Sequence, residues 1–241
     1  MKKPETPPSF FNIGGNQNSK YELIINQVAK RYNQQYQNKA FELPAEIEEM
    51  PIFREWVTGS LNKKIYSPFW EIAKPQKNQR CLDLGCGISF LIYPWHEWGA
   101  YFYGQEISSI AQEILNSRGS QLNSKLFKKV QLLPAHELNY EAEFFDLVIA
   151  TGWSCYYPLE YWEMIINGVK KILKPGGFFL FDIINPGAEL AEDWGLLETY
   201  LGTEVFLFPV TEWEEMIKKN GGEIKKKLPG EMFDLYKVSW G

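Results

Sequence analysis

The chain has 241 residues, 45% of them hydrophobic, and a net charge of −5 at pH 7. That length suits one large α/β domain, or one domain with an added segment, and the acidic balance disfavours a broad nucleic-acid footprint. No apolar run approaches the ~18–20 residues that span a bilayer, and MKKPETPPSFFNIGG lacks the apolar stretch of a secretory signal, so a cytoplasmic protein is expected.

Residues 1–18 are Pro-rich, then Gly/Asn-rich, and are expected to be mobile. Ser19-x-x-Glu22 reads as a capping box, and Tyr21, Ile24, Ile25, Val28 and Tyr32 fall on one helical face behind it. A second helical pattern runs from about 44 to 65, broken at Pro51. These helices are too short to make a core of their own. Residues 1–75 are therefore expected to pack as a lid or flank on a core of residues 76–241, with Tyr21 as the contact from the lid to a bound ligand.

From Arg80 the pattern alternates. CLDL is a short buried strand, and ISFLIYPWHEW a helix with a kink at Pro94. AYFYGQ is a strand, and SSIAQEILNSRG a helix with a serine cap and a glycine stop. VQLL and FDLVIA are strands, and PLEYWEMIINGVKKIL is a helix with Pro158 near its start. KPGG is a turn, FFLFDII a strand, and Thr211-x-x-Glu214 caps the helix TEWEEMIKKNGG. Alternating strands and helices predict βαβ units and a parallel sheet. EIKKKL and FDLYKVSW are separated by a connection too short for a parallel crossover, so they should pair antiparallel.

Cys81, Cys86 and Cys155 have no metal-ligand spacing, and His96 and His136 are the only histidines; neither a disulfide framework nor a metal site is expected. KKNGGEIKKK at 218–227 reads as a solvated helix end and strand start. Aromatic residues make up 16% of the chain, a surplus that can line a pocket for a flat or apolar ligand.

The chemistry concentrates in CLDLGCGISF, residues 81–90. Asp83, Gly85 and Gly87 form D-x-G-x-G after a strand, where glycines let the backbone approach a ligand closely. Ser89 stands where a third glycine often sits. An acidic residue beside a pyrophosphate is unhelpful; beside an ammonium or sulfonium it makes sense. The second strand ends in Gly104-Gln105-Glu106, where a carboxylate can accept two hydrogen bonds from a ribose diol, a need that NAD and adenosyl ligands share.

Taken in order, CLDLGCGIS, YGQEIS, FDLVIATG and LKPGGFFLFD resemble the class I S-adenosylmethionine-dependent methyltransferases over about residues 80–184. The resemblance implies a Rossmann-like, seven-stranded, mostly parallel sheet flanked by helices, here with an N-terminal helical lid, and S-adenosylmethionine as cofactor. It matches Asp83, Gly85, Cys86 and Gly87 to the loop around the methionine part, Glu106 to the ribose, and Ile107 to the adenine. The acid that the family often carries after the third strand is replaced by Ala135 or His136. Thr151 lies after the fourth strand, facing the transferred methyl group. Trp153, Tyr156, Tyr157 and Asp182 are the expected substrate contacts, with His136 and Tyr157 as candidate bases. TGWSCYYP lacks the N/D-P-P-Y/F motif of members that methylate nucleobase or glutamine amines. The expected activity is methyl transfer to an oxygen or nitrogen of a small-molecule acceptor. Rival readings are a protein or RNA methyltransferase, an NAD(P)-dependent reductase, and a fold that binds cofactor without catalysis.

Overall fold

The computed structural model describes residues 19–65, 67–118 and 125–241. The Pro-rich leader, the Ser19 side chain of the expected capping box and the glycine stop at 119 lie outside the described residues. Seven strands form one sheet: β1 (Arg80–Leu84), β2 (Tyr101–Glu106), β3 (Phe127–Leu132), β4 (Phe145–Ala150), β5 (Leu173–Ile184), β6 (Glu223–Leu228) and β7 (Phe233–Ser239). Their order is β3-β2-β1-β4-β5-β7-β6. β1 to β5 run parallel, and β7 pairs antiparallel with both β5 and β6, as the short connection requires.

Burial on both faces explains the strand sequences. Cys81 to Leu84 and Leu147 to Ala150 are all buried, so these strands read as apolar runs rather than alternations. One face is covered by α1 (Ser19–Tyr36), α7 (Leu159–Ile172) and α9 (Val210–Lys219). Ile165, Ile166, Val169 and Ile172 give α7 its inward stripe, each worth about 1.5–3 kcal/mol of burial. The opposite face holds an aromatic cluster of Phe69, Phe90, Trp95, Trp98 and Phe102.

Five expectations are corrected. The 44–65 pattern is three short helices, α2 (Ala45–Glu48), α3 (Pro51–Thr58) and α4 (Leu61–Lys64), and Gly59 at φ 77° ends α3 in a left-handed cap. ISFLIYPWHEW is not one kinked helix: a single turn at Ser89–Leu91 precedes the four-residue α5 (Trp95–Trp98), because Pro94 breaks the ladder and the aromatic side chains on either side of it pack into the core. Thr211 does not cap α9; Pro209 is the N-cap residue, Thr211 sits inside the first turn, and the Glu214 carboxylate accepts from Tyr236 Oη at 3.0 Å. KPGG is not a turn between elements but lies within β5, where Leu173 pairs with Phe145 and Phe178 with Leu147, and the extra residues form an irregularity with Gly176 at φ 77°. A further helix, α8 (Ala191–Leu201), is one that the sequence patterns do not mark. The glycine-loop strand and its neighbours otherwise stand where the alternation puts them, as does α6 (Ser109–Ser117), whose cap Ser108 Oγ accepts from Ala111 N.

The chain builds outward from β1 through β2 to β3, then returns to place β4 on the other side of β1. That reversal opens a crevice at the carboxyl ends of β1 and β4, where open α/β sheets bind ligands.

Candidate active site

β1 ends at Leu84 and turns through Gly85 and Gly87, both left-handed, at φ 66° and 49°. Each glycine is required by a specific neighbour. A Cβ on Gly85 would stand 2.6 Å from the Trp153 indole nitrogen, which itself donates to Leu84 O at 2.7 Å. A Cβ on Gly87 would collide with the Tyr36 hydroxyl. The loop amides are already spent within the protein. Gly85 N and Cys86 N donate to Gln105 O at 2.8 and 3.2 Å, and Gly87 N donates to Glu106 Oε2 at 2.6 Å. With only the single helical turn Ser89–Leu91 behind it and these N–H groups engaged, the loop is not built as a pyrophosphate cradle.

Two buried carboxylates brace this loop. Asp83 Oδ2 accepts from Ser89 Oγ at 2.7 Å, so the residue in the place of a third glycine is the partner of the acid. Burial pushes the Asp83 carboxyl up to about 7, the neighbouring charge of Glu106 adds to the rise, and the Ser89 bond opposes it. Glu106 Oε1 accepts from Ile107 N at 2.8 Å and Ser108 N at 2.7 Å, so with Gly87 its carboxylate holds three amides. Burial still raises it above the usual carboxylate range. Two acids held this close to a cleft favour a cationic ligand.

The cleft above the loop has a volume of about 240 Å³. Of the residues expected at the site, Gly85, Cys86, Gly87, Glu106, Ile107, Ala135, Thr151, Trp153 and Tyr157 line it. Asp83 stands one residue behind the wall, joined to it through Ser89. The lining also includes Val28, Tyr32 and Tyr36 of α1, together with Ile88, Ser89, Ile92, Tyr93, Gln105, Leu133 and Gly152. Tyr32 lies on the amphipathic stripe read from the sequence, and Tyr36 is its next step at i+4. Among the described residues no Lys, Arg or His lines the cleft.

Four expected site residues point elsewhere. Tyr21 is buried against Tyr161, with ring centroids 5.0 Å apart; α1 runs toward the loop, so its last turns, not its first, reach the cleft. His136 faces α7, with Nδ1 3.0 Å from Tyr161 Oη, and burial lowers its proton affinity. The Gln105 amide Nε2 donates to Pro134 O at 2.6 Å and Glu137 O at 3.3 Å and ties that loop to β2. Tyr156 is fully buried, its hydroxyl 3.1 Å from that of Tyr32. Asp182 accepts from Ser67 Oγ at 2.6 Å and from Gly152 N at 2.8 Å, and burial pushes it up to about 7. It holds the turn after β4 from beneath.

α1 is fixed over the cleft by contacts distant in sequence. Arg31 donates through both its Nε and Nη2 to the Glu198 carboxylate of α8, at 2.8 and 2.7 Å, with both residues buried, and it also bonds Gln35. Asn33 Oδ1 accepts from Ser108 Oγ at 2.7 Å and Ile110 N at 3.3 Å, so α1 caps the start of α6.

A Rossmann-like sheet of this order, with a glycine loop backed by acids at the switch point, defines the class I S-adenosylmethionine-dependent methyltransferase fold. Residues 82–181 match the family model described as a methyltransferase domain. It is 26% identical over 126 residues to the sterol 4-C-methyltransferase of Caenorhabditis elegans, covering 51% of this chain and 36% of that protein. Thus the chain aligns with little more than a third of that relative's length. It is 27% identical over 177 residues to the ubiquinone biosynthesis O-methyltransferase of Pelagibacter ubique, covering 69% of this chain and 70% of that protein. The solved geranyl diphosphate C-methyltransferase of Streptomyces coelicolor superposes with a TM-score of 0.64 at 11% identity, over 90% of this chain and 98% of that one, and so shares the fold.

Proposed function

We propose that the protein moves a methyl group from S-adenosylmethionine to an oxygen or nitrogen atom of a small-molecule acceptor, in the cytoplasm. The observation that carries this reading is the pair of buried acids, Asp83 and Glu106, behind a cleft with no cationic side chain in its described lining. That environment suits a ligand bearing a sulfonium and an ammonium. The spent amides of residues 85–87 argue against the NAD(P)-dependent alternative. The names of the two curated relatives, a sterol methyltransferase and a ubiquinone-pathway O-methyltransferase, support small-molecule acceptors over protein or RNA.

S-adenosylmethionine, when bound, supplies a methyl carbon activated by a positively charged sulfur. The residues of this chain then bind, orient and exclude water. In this reading Glu106 accepts from the ribose diol, and Ile107, Leu133 and Ala135 give the apolar contact for the adenine. Thr151 and Gly152 place the turn after β4 beside the reacting atoms, while residues 1–75 act as the lid. Tyr157 is the catalytic candidate on the wall itself; His136 is linked to it only through Tyr161, which stacks on Tyr157 at 4.4 Å. Calorimetry with S-adenosylmethionine, S-adenosylhomocysteine, NAD and NADP tests the assignment. Binding of the first two alone is expected; tight NAD binding without S-adenosylhomocysteine binding would falsify it.

A further inference from the structure

Resting on that reading, we propose that Ser89 takes the ammonium of the cofactor's amino-acid end, and that Asp83 is the positioning residue behind it, turning the lone pairs of the Ser89 hydroxyl toward the ligand. The sheet order gives the placement. With the adenine against Ile107, Leu133 and Ala135 and the ribose at Glu106, the adenosyl part lies over the ends of β3 and β2. The amino-acid end then runs on across the end of β1, toward the turn that follows β4. Ser89 belongs to the loop after β1 and lines the cleft.

The hydroxyl is what Ser89 has to offer. Its N–H donates to Cys86 O at 2.8 Å, and its carbonyl accepts from Ile92 N at 2.9 Å and Tyr93 N at 2.8 Å. A serine hydroxyl carries one hydrogen and two lone pairs. Asp83 Oδ2 lies 2.7 Å from Ser89 Oγ and accepts that hydrogen when ionised. The lone pairs are then left for the cleft, so Ser89 meets a ligand as an acceptor and suits a group that brings hydrogens. A protonated Asp83 reverses the bond: the carboxyl donates to Oγ, and the serine hydrogen is free to turn to the cleft. The charge of Asp83 thereby sets what Ser89 can hold, although Asp83 stands behind the wall. Of the groups that face Asp83, Glu106 anchors three amides on the adenosyl side. The Cys81 and Cys86 thiols are kept protonated by burial, and the partners of Asp83 across β2 and β4, Gly104 and Ile149, carry no charge.

Three ligands test this by calorimetry on the full chain: S-adenosylhomocysteine, its deaminated analogue, and 5′-methylthioadenosine, which lacks the whole amino-acid end. None of them carries the sulfonium, so the first two differ only in the ammonium. Failure of the unaltered protein to bind S-adenosylhomocysteine overturns the methyl-transfer reading itself. Given that binding, S-adenosylhomocysteine should be held about tenfold more tightly than the deaminated analogue, as the loss of a charge-assisted hydrogen bond implies. The preference should widen as pH rises through about 7, where Asp83 ionises. Ser89→Ala should weaken S-adenosylhomocysteine several-fold, remove most of the preference and its pH dependence, and leave 5′-methylthioadenosine affinity unchanged. Ser89→Gly, the residue often found at that place in such loops, repeats the comparison if Ser89→Ala does not fold. Equal binding of S-adenosylhomocysteine and the deaminated analogue by the unaltered protein overturns the proposal. So does a variant that keeps the preference, or one that loses 5′-methylthioadenosine to the same extent, since Ser89 would then only shape the loop.

Discussion

The two walls of the cleft are built by opposite means. The loop wall is local: Asp83, Gly85, Gly87 and Ser89 lie within seven residues, and their partners, Gln105 and Glu106, come from the adjacent parallel strand. The α1 wall is assembled at long range, with Arg31 joined to Glu198 across 167 positions and Asn33 to Ser108 across 75. The loop wall therefore depends on backbone conformation, and the helix wall on the apolar packing of Tyr21, Ile25 and Val28 together with a few buried polar contacts. Damage to the first should remove binding outright, whereas damage to the second should loosen a wall that can still return.

The largest effect expected is from Gly85→Val. It places a branched side chain at φ 66° and against the Trp153 indole. Cofactor binding should fall below detection in calorimetry while circular dichroism still reports the α/β fold; normal binding would show that the loop does not touch cofactor.

Arg31→Met comes next, because it leaves Glu198 buried without its partner. Loss of one member of a buried pair costs about 3–5 kcal/mol. Hydrogen exchange over residues 19–36 should rise sharply, and the double variant Arg31→Met with Glu198→Leu should recover much of the loss. If exchange in α1 ignores the single variant, the ion pair does not hold this wall.

A pH titration probes two buried acids, Asp83 under the loop and Asp182 under the turn after β4. Asp83 and Asp182 titrate near 7 in the folded protein and near 4 when unfolded. Between those values the folded state holds protons that the unfolded state releases, so this contribution to stability falls as pH rises from about 4 to about 7. Thermal melting of the ligand-free protein should show that decline, and Asp83→Asn should flatten part of it. An unchanged slope in the variant would place the titration elsewhere.

Glu106→Gln keeps the shape of the loop anchor and removes its charge. Cofactor affinity should drop by about 1.5–3 kcal/mol, the worth of charge-assisted hydrogen bonds. Unchanged affinity would take Glu106 out of the ribose site. The smallest effect belongs to Asn33→Ala, which removes the cap that α1 gives α6. A loss of about 1 kcal/mol in unfolding free energy is expected, with cofactor affinity almost unaltered; a large affinity loss would mean that α1 and the loop act as one unit.

The amino-acid sequence by itself determined the sheet and the loop wall. Apolar runs at β1 and β4, the D-x-G-x-G spacing and the acid ending β2 are local patterns, and local patterns fix backbone conformation through sterics and burial. It did not determine α8, whose outward side carries Leu196 and Tyr200 alongside its acids, so no clean amphipathic stripe marks it. Nor did it show that Ser89 serves Asp83 or that Tyr36, rather than Tyr21, reaches Gly87. Those outcomes depend on the direction in which α1 crosses the sheet, and that direction is set by Arg31 finding Glu198 and Asn33 finding Ser108. Only the tertiary structure decided which aromatic residues became cavity wall and which became core, because a buried polar group takes whatever partner the folded chain brings within hydrogen-bond distance, however far away in sequence.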